Sequence, residues 1–269
     1  MSLEAARGVL ACPACGGALQ LVEPALHCAR GHTFDVARQG YVNLLGGPQP
    51  PNADTAAMVE ARERVLAGGL FDPVSAEVAR RVAASAVLAE VGAGTGFHLA
   101  RALDRIPGGR GIAFDVSVAA ARRAARCHPR AASVVADVWQ GLPVLPRRLG
   151  ALLCLFAPRN MTEFARVLGH RGLLVVVTPD ADHLGELRQR YGLLDIDPDK
   201  EDRLRRSAVG LFDPIVTRRL AYTRALDADG VRDLIAMGPN AFHGVPDEVA
   251  AADVTVSVTV HVFRNATAG

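Results

Sequence analysis

The stretch Val87-Leu88-Ala89-Glu90-Val91-Gly92-Ala93-Gly94-Thr95-Gly96 decides the fold. Val87–Val91 is a short apolar run carrying one acid, which reads as a buried strand. The glycines behind it let the main chain turn sharply, and a helix is expected to open at once over 97–106. Apolar strands are expected again at 111–115, 133–136, 151–156 and 173–178, with helices over 117–127 and 160–168 between them. Strands alternating with helices build a doubly wound α/β sheet of the Rossmann-like type. Helical patterns at 55–67 and 74–86 precede this core. A helical stretch near 182–206 interrupts it, and 214–224 and 254–263 alternate as an antiparallel pair does.

The loop itself narrows the ligand. A bare G-x-G-x-G serves several nucleotide-binding folds. Here Glu90 stands just before it, where a carboxylate can reach a ligand's ammonium group. Gly96 follows Gly94 by only two residues, which departs from the dinucleotide spacing G-x-G-x-x-G. Together these features favour an S-adenosylmethionine loop built from Glu90, Gly92, Gly94, Thr95 and Gly96. Asp115 ends the second strand, where its carboxylate can accept ribose hydroxyls. Asp137 follows the third, where it can accept from an adenine amino group while Val138 packs the ring. A single strand-end Asp is often a helix cap. Three acids at successive strand ends, all on the carboxyl edge, are harder to dismiss. His98 touches the methionine end or is a plain first-turn residue. Trp139, the single tryptophan, walls the adenine pocket or belongs to the core. Cys127 and Cys154 read as small buried hydrophobes.

Upstream lies a second constellation: Cys12-Pro-Ala-Cys15, twelve residues, then Cys28-Ala-Arg-Gly-His32. The pattern C-x2-C-x12-C-x3-H offers three thiolates and an imidazole in two pairs, which suits tetrahedral Zn2+ with no open position. Gly16, Gly17 and Gly31 give the knuckles their backbone freedom. His27 competes as a ligand, but His32 has the better spacing. The zinc is expected to be structural, because a module of about 35 residues cannot stabilise itself by burial alone. The division expected is a zinc-binding, RNA-recognising module over 1–45, a turn-rich linker at 46–54 and an S-adenosylmethionine-dependent domain over 55–269.

Composition names no partner. The net charge is +2, and of the 30 basic residues all but Lys200 are arginine. Arginine suits phosphate and base contacts, yet such an excess also follows from codon bias. No apolar run is long enough for a membrane span, and the first residues lack the pattern of a secretory leader, so a cytoplasmic location is expected.

Further motifs carry a family resemblance. Gly31-His32-Thr33-Phe34-Asp35-Val36-Ala37-Arg38-Gln39-Gly40-Tyr41-Val42-Asn43-Leu44-Leu45 follows the cysteines, and later come Phe156-Ala157-Pro158-Arg159-Asn160, Thr178-Pro179-Asp180-Ala181-Asp182-His183-Leu184 and Ala236-Met237-Gly238-Pro239. With them the chain, from about residue 10 to 264, resembles the RlmA family of 23S rRNA guanine-N1 methyltransferases, most of all its actinomycete tylosin-resistance branch. The resemblance implies methylation of a guanine in the hairpin 35 loop near the macrolide site, with tylosin-type resistance as a consequence. It implies zinc on Cys12, Cys15, Cys28 and His32, a zinc module that grips RNA, and a homodimer. It also implies cofactor contacts from His183 and Phe71, the latter standing where some relatives carry Tyr.

Catalysis is less legible. Methyl transfer from a sulfonium depends on alignment and desolvation. Arg159 can hydrogen-bond guanine O6, and Asn160 is either a substrate contact or the N-cap of the next helix. No general base is assignable. Two rival readings remain: a small-molecule methyltransferase with a purely structural zinc ribbon, and a non-enzymatic binding module, which the intact loop disfavours.

Overall fold

The computed structural model describes residues 2–266. After a short 3-10 turn at Ser2–Ala6, strands β1 (Leu19–Val22), β2 (Ala25–Cys28) and β3 (Thr33–Asp35) form a small antiparallel sheet. Then follow β4 (Tyr41–Asn43), α1 (Ala56–Ala67), α2 (Asp72–Arg81), β5 (Val87–Val91), α3 (Phe97–Asp104), β6 (Arg110–Asp115), α4 (Val118–Ala124), β7 (Ala131–Val135) and β8 (Leu149–Leu155). The chain continues through α5 (Met161–Val167), β9 (Leu168–Pro179), α6 (Gly185–Tyr191), α7 (Lys200–Ala208), β10 (Phe212–Leu226), α8 (Ala228–Ala236) and β11 (Ala252–Asn265).

The large sheet has the order β10-β11-β9-β8-β5-β6-β7-β4. Every pairing from β9 to β4 is parallel, whereas β11 runs antiparallel to both β9 and β10. The chain moves outward from β5 to β6 and β7, then returns to place β8 on the other side of β5. That reversal opens a crevice at the carboxyl ends of β5 and β8, where open α/β sheets bind ligands.

Each central strand is buried on both faces, and alternate residues serve two cores. Leu88, Ala113, Leu153 and Val175 pack under α2, α3 and α8. Ala89, Ile112, Leu152 and Leu174 pack on the opposite side with Phe164 of α5 and Leu204 of α7. This two-sided burial is why the strands read as near-continuous apolar runs.

The expected α/β core is present, with Val87–Val91 as its first strand. Three differences have physical causes. The stretch near 182–206 is two helices, α6 and α7; Gly192 ends the first in the left-handed conformation at φ 62°. Helix α8, which carried no expectation, is fixed by burial of Val231, Leu234 and Ile235. The N-terminal segment is not set apart at residue 45: Tyr41–Asn43 pairs in parallel with Ser133–Val135 as the edge of the main sheet. Leu3, Ala6, Val9 and Leu10 share one apolar core with Ile112, Val134 and Phe164.

Candidate active site and metal centre

A cavity of about 600 Å3 lies over the carboxyl edge of the sheet. Residues from the ends of β5 to β9 converge on it, among them Glu90, Asp115, Asp137, Phe156 and His183. Five consecutive strand ends therefore supply one site.

Glu90, the penultimate residue of β5, is buried, and its Oε2 accepts the backbone N–H of Leu99 at 3.0 Å. Burial, more than the nearby charge of Asp115, pushes its carboxyl up to about 8. A ligand ammonium in the cavity would restore the ionised form by pairing with it. His98, on the first turn of α3, is also buried and hydrogen-bonds Ser75 Oγ through Nδ1 at 2.8 Å. Burial first, and the charge of Arg62 second, hold it down near about 4, so it is neutral at physiological pH. It lines the cavity as an uncharged group.

Asp115 accepts two backbone N–H groups, from Gly94 at Oδ2 and from Ser117 at Oδ1, each at 2.8 Å. It thereby locks the glycine loop to the end of β6. Burial raises its carboxyl pKa, against the pull of those two donors. Each oxygen keeps a second lone pair for a ligand hydroxyl. Asp137 accepts from Trp139 N at 2.9 Å, which folds the β7 turn so that Val138 and Trp139 both face the cavity. Trp139 is 65% exposed, so it is a wall of the site rather than a core residue.

Opposite them sits an aromatic group drawn from three distant segments. Phe71 and His183 are buried and Phe156 is 41% exposed. The rings of Phe156 and His183 stack with centroids 5.8 Å apart, and Phe71 meets Phe156 edge-on at 5.8 Å. His183 Nδ1 accepts the backbone N–H of Ser257 at 3.2 Å. Burial and then Arg188 lower its pKa to about 4, so the neutral ring carries its proton on Nε2 as a donor.

The glycines divide their work. A Cβ on Gly92 would lie 2.5 Å from Ala157 Cβ, so this glycine lets β5 and the β8 turn close on each other. A Cβ on Gly94 would meet Arg62 Nη1 at 2.9 Å. Gly96 and Thr95 do not line the cavity; Gly96, at φ 76°, lets α3 start against Cys127. Cys127 is accordingly half-buried, while Cys154 is fully buried in β8.

The geometry also places the remaining candidates and the 46–54 segment. Asn160 is the N-cap of α5: its Oδ1 accepts Glu163 N at 3.2 Å and its amide donates to Val138 O at 3.1 Å. Both ends of the amide are engaged, which leaves the helix-cap reading of Asn160 standing. Arg159 lies beside the cavity rather than on its lining. The residues at 46–54 are not a free linker either. Pro50, Asn52, Ala53 and Asp54 wall the cavity, and Ser117 Oγ donates to Asp54 O at 2.7 Å. Arg62, absent from the sequence expectations, ties this wall down: Nη1 pairs with Asp54 Oδ2 at 2.5 Å and Nη2 donates to Met237 O at 2.6 Å. Its one sequence signal was a cation at a partly buried helical position, which is too common to single out.

The four candidate metal ligands converge. One donor atom each from Cys12, Cys15, Cys28 and His32 lies within 4.8 Å of all the others. Cys15 Sγ is 3.8 Å from Cys28 Sγ, and His32 Nδ1 lies 3.5 Å from Cys12 Sγ and 3.3 Å from Cys28 Sγ. A tetrahedron with Zn–S near ~2.3 Å has edges of roughly 3.5–3.8 Å, so the donor set fits zinc. Tight turns deliver it: Gly16 N donates to Cys12 O at 2.8 Å, and Gly31 N to Cys28 O at 3.0 Å. His32 presents Nδ1, and His27 instead hydrogen-bonds Thr33 Oγ1 at 3.1 Å, outside the cluster.

The sheet order, the loop locked by Asp115 and the five-strand cavity define a Rossmann-like methyltransferase preceded by a zinc ribbon. A chain from the Haloferax volcanii complex between the Trm112 methyltransferase activator and a methyltransferase shares the fold, with a TM-score of 0.50, 14% identity and coverage of 80% of this chain and 95% of that one. Residues 10–48 match the model of the RlmA N-terminal zinc ribbon. The Streptomyces fradiae 23S rRNA (guanine(748)-N(1))-methyltransferase is 44% identical, over 95% of this chain and 96% of its own. A Micromonospora griseorubida relative named for the same class of activity is 42% identical, over 95% and 96%. The chain belongs to the family of 23S rRNA (guanine-N1)-methyltransferases.

Proposed function

We propose that this enzyme transfers a methyl group from S-adenosylmethionine to N1 of a guanine in 23S rRNA, in the loop of hairpin 35. The observation that carries the reading is the cavity at the switch point of the sheet in a chain so similar, end to end, to rRNA guanine-N1 methyltransferases. The bound cofactor supplies an electrophilic methyl on a sulfonium. Glu90 receives the cofactor's ammonium group, Asp115 its ribose hydroxyls, and Asp137 with Val138 its adenine. His183 offers Nε2–H and Phe71 packs beside it. Arg62, Asp54 and Met237 hold the wall that keeps water off the reacting centre.

A second groove, of about 480 Å3, runs from Cys12, Pro13 and Gly16 of the first knuckle to Ala136, Asp137 and Leu142, which also line the cofactor cavity. A groove that borders both the zinc ribbon and the cofactor cavity suits an extended nucleic-acid substrate better than a small molecule held under a closed lid. The zinc ribbon is accordingly read as an RNA grip with no chemistry of its own. The homodimer implied by the resemblance belongs to the same proposal; analytical ultracentrifugation tests it. Among the described residues no helix is long and apolar enough to cross a membrane, which accords with work on ribosomes in the cytoplasm.

The deciding experiment is primer extension on 23S rRNA from cells with and without the gene. A new stop in hairpin 35 is expected, together with reduced tylosin sensitivity. No new stop overturns the reading.

A further inference from the structure

We propose that Phe156 is the stacking platform for the acceptor guanine. This rests on the rRNA guanine-N1 reading above and adds the residue that positions the base.

The argument begins with the backbone. Phe156 follows β8 with φ 54°, in the left-handed region. For a side chain with a Cβ this conformation is strained, a strain that glycine avoids. Such strain persists where the surroundings hold it in place. Here they do: Phe156 N donates to Val177 O at 3.1 Å, and Gly92 lets Ala157 close in behind the turn. The result aims an aromatic ring into the cavity instead of into the core.

The ring is then both supported and left open. His183 stacks on it and Phe71 abuts its edge, and both supports are buried. Yet Phe156 is 41% exposed. Among the described residues, Phe156 and Trp139 are the only exposed large apolar side chains that line the cavity. They belong to different halves of it. Trp139 follows β7, beside Asp137 and Val138 at the adenine end, whereas β8 lies across β5 on the other side. Phe156 therefore faces the position left for the acceptor.

The chemistry of the acceptor asks for such a surface. Guanine N1 lies on the Watson–Crick edge, and its base must leave its neighbours to bring that edge to the methyl donor. An aromatic face compensates the lost stacking, and replacing such a face by alanine costs roughly 10- to 100-fold per base. A preformed ring also fixes the plane of the base for in-line attack.

The test compares full-length wild type with Phe156→Tyr, Phe156→Ala and Phe156→Gly. Four quantities are measured: methyl transfer to the 23S rRNA fragment mapped by primer extension, S-adenosylhomocysteine affinity by Trp139 fluorescence, urea stability, and fluorescence of the fragment carrying 2-aminopurine at the mapped position. Phe156→Tyr is expected to keep kcat/KM within about threefold. Phe156→Ala and Phe156→Gly are expected to lose roughly 10- to 100-fold in kcat/KM, with S-adenosylhomocysteine affinity unchanged within about twofold and the 2-aminopurine quench abolished. Phe156→Gly is expected to unfold cooperatively in urea, since relief of the positive-φ strain offsets part of the lost ring packing, so the loss in kcat/KM is read on folded protein. Retained kcat/KM and quench in Phe156→Gly overturn the proposal. A wild type that methylates no rRNA overturns the functional reading instead, so the two failures are distinguishable.

Discussion

The buried carboxylate of Glu90 accepts the backbone N–H of Leu99 at 3.0 Å, joining the end of β5 to the first turn of α3 across the glycine loop. One oxygen thus holds the loop's shape while the carboxyl group faces the cavity. The consequence is a pH dependence. A carboxyl raised by burial to about 8 is mostly protonated at neutral pH in the free protein. An ammonium-bearing ligand favours the ionised form, so its binding releases a proton. Affinity for S-adenosylhomocysteine is expected to rise by up to about tenfold per pH unit from pH 6 towards 8, then level off. Trp139 fluorescence or calorimetry reads it. Glu90→Gln is expected to bind weakly with a flat profile, and a flat wild-type profile refutes the assignment. The stability sign follows. The folded pKa lies above the ordinary value of 4.5, so the ligand-free fold loses stability as pH rises between those values, and ligand offsets the loss.

Gly96 is a packing residue. At φ 76° a Cβ would sit 2.7 Å from Cys127 Sγ. Gly96→Ala is expected to cost about 2–4 kcal/mol by urea denaturation, from left-handed strain plus overpacking. Adding Cys127→Ala should recover part of that cost, because the sulfur leaves while the backbone strain stays. Additive losses in the double variant would show that the two positions do not meet.

Asp115 accepts two N–H groups, and asparagine can accept only one of them with its single oxygen. Asp115→Asn is expected to weaken S-adenosylhomocysteine binding at least tenfold while lowering stability by about 1–3 kcal/mol. Isothermal titration and thermal melts separate the two effects. Unchanged affinity would remove Asp115 from the cofactor site.

The Arg62 tie makes the 50–54 segment a held wall. Arg62→Ala removes the Asp54 ion pair and the bond to Met237 O together. Hydrogen exchange at residues 52–55 is expected to speed up, and S-adenosylhomocysteine to dissociate about tenfold faster. Exchange indistinguishable from wild type would mean that packing alone holds the segment.

Zinc removal reaches beyond the ribbon. Cys12 and Cys28 share a core cluster with Val42, Leu142 and Val144 of the main domain. Chelation at neutral pH is expected to release one zinc per chain and to lower the melting temperature of the whole protein. RNA affinity should fall further than cofactor affinity. A melt unmoved by chelation would show that the ribbon is energetically separate.

Local spacing determined much of this protein. The strand Val87–Val91 and the loop behind it were legible because burial on both faces gives an uninterrupted apolar run, and sharp turns need glycine. The metal set was legible because each knuckle holds its two ligands within a few residues, so the chain itself fixes their approach. The tertiary structure decided what depends on distant partners. Tyr41–Asn43 reads as part of the ribbon until Ser133–Val135 offers it a sheet edge. The polar, proline-rich 46–54 segment reads as a linker until Arg62 and Ser117 pin it over the cavity. Asn160 was open between substrate and cap until Glu163 N and Val138 O claimed both ends of its amide. Phe71, Phe156 and His183 have no common spacing, and only the packing of α2 against the ends of β8 and β9 brings their rings together. A period in sequence reports which face is buried, but not which remote segment buries it.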